Sequence, residues 1–291
     1  MDYRVTHRTI YDYSEGVTVS HHAARLTPVT SPTQRTTNFS LSISPMPAVR
    51  MDSRDYFGNQ VCFFAIQEIH RELEVVVKSE VTVDAVTIPL LAVSPPWEEV
   101  ADRFRDPVSP ADVMPYEFCL ESPLLHLTPE YADYARQSFA PGTPMLVGAR
   151  DLMRRIRDDF RYDTVATTTA TPLEEVWRKR HGVCQDFAHM GIACLRSLGL
   201  PARYVSGYIR TYPAAGKPRL VGADASHAWF SVYCPKTGWL DFDPTNDVIP
   251  IDEHITVAVG RDFSEVSPLS GILTGGGEHE VRVSVDVEPC N

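Results

Sequence analysis

Alternation of apolar and polar positions with a period of two runs through the first 87 residues. Tyr3, Val5, His7, Thr9, Tyr11 and Tyr13 alternate with Arg4, Thr6, Arg8 and Asp12, and Phe39, Leu41 and Ile43 alternate with Asn38, Ser40 and Ser42. The rhythm returns through residues 61–66, at Leu73, Val75 and Val77, and at Val81 and Val83. Side chains two apart share one face of a strand, so this stretch predicts an all-β unit arranged as a two-layer sandwich. Ser14-Glu15-Gly16 and Phe57-Gly58-Asn59 read as its turns. His21, His22 and His70 fall on these strands as isolated surface residues and receive no role.

Between Pro89 and Pro144 the proline density rises, which predicts a connecting region of short helices instead of a second sheet. Thr128-Pro129 and Thr143-Pro144 each place an N-cap before a proline at the first helical position. The second helix carries Leu146, Ala149, Leu152, Met153, Ile156 and Phe160 on one stripe, with Arg154, Arg155 and Arg157 forming a solvated face. Thr171-Pro172-Leu173-Glu174 has capping-box spacing and leads a short helix through Trp177 toward His181. The period then becomes helical again at Phe187, Met190, Gly191, Cys194, Leu195 and Leu198, ending at Gly199 and Pro201. Strands follow at residues 203–211, 225–234 and 239–243, and a last one carries Val281, Val283, Val285 and Val287. The order gives an α+β chain: an N-terminal β domain (1–90), a proline-rich connection (91–143) and a core with a C-terminal strand (144–291).

A chain of 291 residues with a net charge of −11 has no basic surface for nucleic acid or an anionic membrane. No apolar run approaches the ~18 residues of a membrane span, so the expected setting is the cytoplasm. Six cysteines without a CxxC pair read there as free thiols.

One of them sits where chemistry is expected. In His181-Gly182-Val183-Cys184-Gln185-Asp186, Cys184 falls at a helix N-terminus, where unpaired amide N–H groups and the helix dipole favour a thiolate. Gly182 allows a sharp turn and close approach of a substrate carbonyl. Most cysteines in apolar helices are inert packing residues. Residues further along the chain set Cys184 apart, since thiol acyl transfer also needs a base and a group that orients the base. His227 and Asp243 supply those types.

Gly182-Val183-Cys184-Gln185-Asp186, Ser226-His227-Ala228-Trp229 and the run from Gly238 through Asp243-Pro244-Thr245-Asn246 resemble, in order and spacing, the three motifs of the transglutaminase-like superfamily in its bacterial form. Residues 1–87 resemble the β domain that precedes the core in such proteins, and Val259-Gly260-Arg261-Asp262-Phe263 with Ser267-Pro268 resembles their C-terminal segment. The resemblance implies a papain-like core, with the nucleophile helix packed on an antiparallel sheet. It makes Cys184 the nucleophile, His227 the general base and later acid, and Asp243 the orienting carboxylate. Asp241 shares a strand face with Asp243 and is the alternative third member. The Cys184 amide N–H is the expected oxyanion donor, and the sequence identifies no second one.

The implied activity is thiol-dependent acyl transfer at peptide or amide bonds of a peptide or protein substrate, with no cofactor, and hydrolysis is the expected outcome. The alternatives are amine transfer, as in a protein-glutamine transglutaminase, and a non-catalytic binding module on the same fold. Hydrolysis is preferred because no acidic cluster has calcium-loop spacing. A metal site at His181, Cys184 and His189 is disfavoured, since five residues of helix turn His189 roughly 140° away from Cys184. Strand alternation adds a geometric condition: an odd-length loop, Cys234 to Gly238, that pairs Tyr233 with Trp239, or an equivalent bulge, is needed to put His227 and Asp243 on one face. Gly238 is suited to the left-handed conformation such a loop needs.

Overall fold

The computed structural model describes residues 1–107, 109–164, 167–211 and 226–290. In chain order the strands are β1 (Asp2–Ala24), β2 (Gln34–Ser44), β3 (Val49–Arg54), β4 (Gln60–Ile66) and β5 (His70–Val83). Helices α1 (Trp97–Arg105), α2 (Pro110–Glu117), α3 (Pro129–Arg136) and α4 (Met145–Asp159) follow. Then come β6 (Arg161–Tyr162), α5 (Leu173–Lys179), β7 (His181–Gly182), α6 (Cys184–Arg196), β8 (Ala202–Ile209), β9 (Ser226–Cys234) and β10 (Gly238–Phe242). β11 (His254–Gly260), α7 (Phe263–Val266), β12 (Leu269–Gly275) and β13 (His279–Cys290) end the chain.

β1 is the spine of the first sheet, a curled antiparallel half-barrel. One of its edges carries β5 and then β4, the other carries β13 and then β12, while β2 and β3 extend the sheet beyond β5 and β4. The unit is all-β as its alternation predicts, but one curled sheet takes the place of two separate layers. Ser14-Glu15-Gly16 is not a turn either. β1 continues through it with a register shift between Asp12 and Val17, because both flanks of the segment are already paired and the Ser14 and Glu15 amides donate to Glu278 and Gly276. His22 and His70 are buried, not superficial, with His22 stacked on Phe64 and His70 edge-on to Tyr13.

The C-terminal strand exists, but it belongs to this first sheet and not to the sheet of the 144–291 core. Pairing along the free edge of β1 buries Val285 and Val287 with Tyr3, Val5, Val81 and Val83. The same cluster includes Tyr208, Ile255 and Val257 from the second sheet, so the two sheets share an apolar interface without sharing backbone hydrogen bonds.

The second sheet is antiparallel, in the order β10-β9-β8-β11. Ala228, Phe230 and Val232 face the largest core cluster together with Phe187, Met190, Cys194 and Leu195 of α6. Burial of each large apolar side chain there contributes roughly 1.5–3 kcal/mol. The helix approaches so closely that a Cβ on Gly191 would lie 2.5 Å from the Phe230 ring. Residues of α1, α3 and α4 fill the same core, including the whole expected stripe from Leu146 to Phe160. Thr128 is the N-cap of α3 and Pro129 its first residue, as expected, although the Thr128 side chain makes no cap hydrogen bond. Helices α4 and α5 start one residue later than expected, with Pro144 and Pro172 at the N-cap, and Thr171 Oγ1 accepts from the Thr168 amide. Among the described residues, no helix is long and apolar enough to cross a membrane.

Candidate active site

Cys184 is the first residue of α6 and is partly exposed. The helix start is held by Asp186, whose Oδ2 accepts from the Val183 amide at 2.8 Å and from Thr167 Oγ1 at 2.6 Å. Burial raises the Asp186 pKa, and these two hydrogen bonds oppose the rise. Gly182 has a concrete reason to lack a side chain, since a Cβ there would lie 2.5 Å from Asp186 Oδ2. The glycine before the cysteine therefore makes room for the carboxylate that fixes the helix start, a role not visible in the spacing.

The β9-β10 hairpin has the odd loop that alternation requires. Cys234 pairs with Gly238, Tyr233 with Trp239 and Phe230 with Phe242, and both Lys236 (φ 71°) and Gly238 (φ 81°) are left-handed. Asp243, one step beyond the last pair, lies on the face of His227, with its Oδ2 2.8 Å from His227 Nε2. Asp241 goes elsewhere, accepting from Trp229 Nε1 at 3.0 Å.

The Asp243 carboxylate is completely buried and surrounded by donors. Oδ2 accepts from His227 Nε2, from His254 Nε2 at 2.9 Å and from Asn246 Nδ2 at 2.7 Å. Oδ1 accepts from the amides of Thr245 at 2.9 Å and Asn246 at 3.3 Å, so the Asp-Pro-Thr-Asn run folds back on its own acid. Burial would raise the Asp243 pKa, but the hydrogen bonds from His227 and His254 hold it well below the usual carboxylate range. Burial would likewise lower His227. Its hydrogen bond to Asp243, followed by that to Cys184, outweighs burial and raises the imidazole to about 10. The arrangement is a buried imidazole held between a carboxylate and the Cys184 side chain.

His254 has no counterpart among the residues that the sequence motifs single out. It opens β11, which lies at the opposite edge of the sheet from β10, and it reaches Asp243 across Gly207 of β8. Gly207 leaves a gap on the face that carries Val205 and Ile209. The Trp229 indole occupies it, 2.7 Å from where a Cβ would stand, and packs edge-on to His254 with ring centroids 5.1 Å apart.

Among the described residues, one group of histidine, cysteine or acidic side chains converges tightly enough to hold a metal ion: His227, Asp243 and His254. Their separations of 2.8 and 2.9 Å are hydrogen-bond lengths, and the Asn246 amide takes a further approach to Oδ2. The same atoms thus form a satisfied hydrogen-bond cluster. His189 is used structurally, accepting from the Phe263 amide at 3.1 Å, and burial lowers its pKa to about 4. Tyr162, partly exposed, pairs in register with Gly182 and packs edge-on to Phe187. Burial raises its phenol above the ordinary range, and the charges of Cys184 and Asp243 add to the rise.

A helix-borne cysteine beside a sheet-borne histidine and carboxylate is the arrangement of a papain-like α+β core. Residues 3–82 match the bacterial transglutaminase-like N-terminal region, and residues 132–244 match the transglutaminase-like superfamily. The chain belongs to the transglutaminase-like superfamily. Uncharacterized proteins of Mycobacterium tuberculosis and Mycobacterium leprae are 43% and 32% identical over 99% and 98% of this chain, and over 92% and 97% of their own lengths. A protein-glutamine gamma-glutamyltransferase of Pseudomonas aeruginosa is 33% identical over 50% of this chain and 22% of its own. The crystal structure of a candidate cysteine protease from Cytophaga hutchinsonii has the same fold, with a TM-score of 0.74 at 18% identity over 100% of this chain and 92% of that one.

Proposed function

We propose that this protein is a thiol-dependent acyl-transfer enzyme acting on amide bonds of a peptide or protein, with Cys184, His227 and Asp243 as its catalytic triad. The observation that carries the reading is the 2.8 Å hydrogen bond from His227 to a buried carboxylate on one side of the ring, with Cys184 on the other. A base so placed holds the thiol proton as imidazolium and returns it to the leaving amine. Asp243 fixes the ring and its charge. Cys184 Sγ attacks the carbonyl carbon, the C–N bond breaks as nitrogen takes the proton from His227, and a thioester remains. An incoming water or amine then loses a proton to His227 and releases the acyl group as acid or new amide.

The Cys184 amide at the start of α6 is one donor for the oxyanion of each tetrahedral intermediate. Tyr162, paired in register with Gly182 two residues before Cys184, is the side chain we assign as the second. Water is the proposed acceptor, which makes the protein a peptidase or amidase of the cytoplasm, where its six free cysteines would stay reduced. Amine transfer uses the same thioester, and the similarity to a gamma-glutamyltransferase keeps it as the second reading.

The test is incubation with a glutamine-containing peptide library, with and without a primary amine, read by mass spectrometry. Cleaved or deamidated peptides in both arms support hydrolysis, whereas amine-coupled peptides in the second arm support transfer. No change in either arm, with correctly folded protein, contradicts both.

A further inference from the structure

His254 is an expensive residue to place where it stands. Its ring is 8% exposed, its Nε2 contacts only Asp243 Oδ2, and its Nδ1 is buried without any partner. An unsatisfied buried polar atom costs about 1–3 kcal/mol, and phenylalanine or leucine would fill the same space at no such cost. Packing on Trp229 therefore does not account for a histidine. Because the carboxylate oxygen can only accept, Nε2 carries the proton and Nδ1 is a bare lone pair, the less costly way to leave one nitrogen unmet. The ring is committed to a single bond, and that bond ends on the oxygen that also receives His227.

The path by which it arrives points the same way. β11 and β10 lie at opposite edges of the sheet, and on β8 between them Gly207 carries no side chain, so His254 reaches Asp243 from a strand that is not its neighbour. Asp243 follows the last paired residue of β10, and its backbone is bridged to Val248 of its own turn, so no pairing with another strand of the sheet aims its carboxylate. Its carboxylate orientation is set by side chains and by the turn after it. Asn246 and the turn amides approach from its own loop, while His254 is the anchor from a separate strand.

We propose that His254 is a positioning residue: its Nε2–H clamps the Asp243 carboxylate in the orientation that holds His227 toward Cys184. The proposal deepens the triad reading and rests on it. His254 touches no reacting atom and acts through Asp243. Loss of the clamp leaves the carboxylate anchored only by its own loop, through the Asn246 side chain and the Thr245 and Asn246 amides, and the His227 ring loses its fixed tautomer and direction.

The test compares wild type, H254F, H254Q and H254N in the full chain. The readout is the rate of Cys184 alkylation by iodoacetamide from pH 5 to 10, followed peptide by peptide so that the other five cysteines serve as internal references. The amide nitrogen of glutamine reaches the place of Nε2, whereas that of asparagine falls near Nδ1 and misses Asp243. Wild type is expected to alkylate readily at pH 6. H254F and H254N should lose about 10- to 100-fold of that rate, the range seen when outer-shell partners are removed, and should follow an ordinary thiol with a pKa of about 8.5. H254Q should stay within about threefold of wild type by the same orientation argument. If H254F fails to fold, the H254Q and H254N pair decides. Equal profiles for wild type and H254F, or for H254Q and H254N, overturn the proposal while leaving the triad intact. An ordinary-thiol profile in wild type itself contradicts the triad reading instead.

Discussion

His227 and His254 meet on one atom, Asp243 Oδ2, at 2.8 and 2.9 Å. Two imidazoles sharing a buried carboxylate oxygen make that acid the hinge of the site, and the neighbouring Asp241 is tied to Trp229 instead. The two aspartates should therefore respond differently to the same change. Asp243→Asn is expected to reduce turnover by about 10³- to 10⁴-fold, the loss seen when a triad acid becomes an amide. Asp241→Asn, which keeps an oxygen for the indole N–H, should cost less than about tenfold, because its effect reaches His227 only through Trp229 packing. Steady-state kinetics on the substrate found in the library screen measures both.

Gly207 permits the crossing of His254 to Asp243, and its substitution tests the packing that surrounds the site. A Cβ would stand 2.1 Å from the Ile255 carbonyl oxygen and 2.7 Å from the Trp229 indole. Backbone cannot yield as a flexible side chain does, so Gly207→Ala is expected to destabilise the fold by about 3 kcal/mol or more. Urea denaturation with an unchanged m-value is the measurement.

Acid should destabilise the protein before it protonates the triad acid. His7, His22 and His189 are lowered by burial from an ordinary value of 6.5 to about 4. Between those values the unfolded chain binds protons that the folded chain refuses, so stability falls with pH across the window, by up to about 1.4 kcal/mol per unit for each group. His227 has the opposite sign. Raised to about 10, it contributes fully below 6.5 and is lost as pH rises through 10. Thermal unfolding from pH 4 to 10 should show both limbs, and His22→Phe, which retains the stacking on Phe64, should flatten the acid one.

Much of this was legible in the residues, and the remainder has a common cause. Local period located the strands, α4 and α6, and alternation alone required the odd hairpin loop that sets Tyr233 opposite Trp239. Period carries no information on partners distant in the chain. The pairing of β13 with β1, and hence the sheet to which the C-terminal strand belongs, depends on an edge nearly the whole chain away. His254 was missed for the same reason: eleven residues beyond Asp243, it meets the acid only through the strand order that sets β11 beside β8. Ser14-Glu15-Gly16 has turn composition, yet pairing on both sides holds it in a strand. The strand expected from residue 225 begins among the described residues at Ser226, and residue 225 lies outside them.

Divalent metal should inhibit. An ion that engages His227 Nε2, His254 Nε2 and Asp243 Oδ2 must break the hydrogen bonds that orient His227. Zinc is expected to reduce turnover, EDTA to restore it, and EDTA alone to leave the untreated enzyme unchanged. Loss of activity on chelation alone, recovered by adding one metal, would make these three residues a functional metal site and contradict the hydrogen-bonded triad.

The central claim is that Cys184 carries the acyl group. Mixing the enzyme with an activated ester of an acyl-peptide and quenching in acid within milliseconds should trap a thioester, visible as a mass increase equal to the acyl group. Digestion should place that increase on the peptide containing Cys184, and it should disappear with hydroxylamine and be absent from Cys184→Ala, whose melting temperature should match wild type. An adduct on another residue, or turnover retained in Cys184→Ala, would contradict the account.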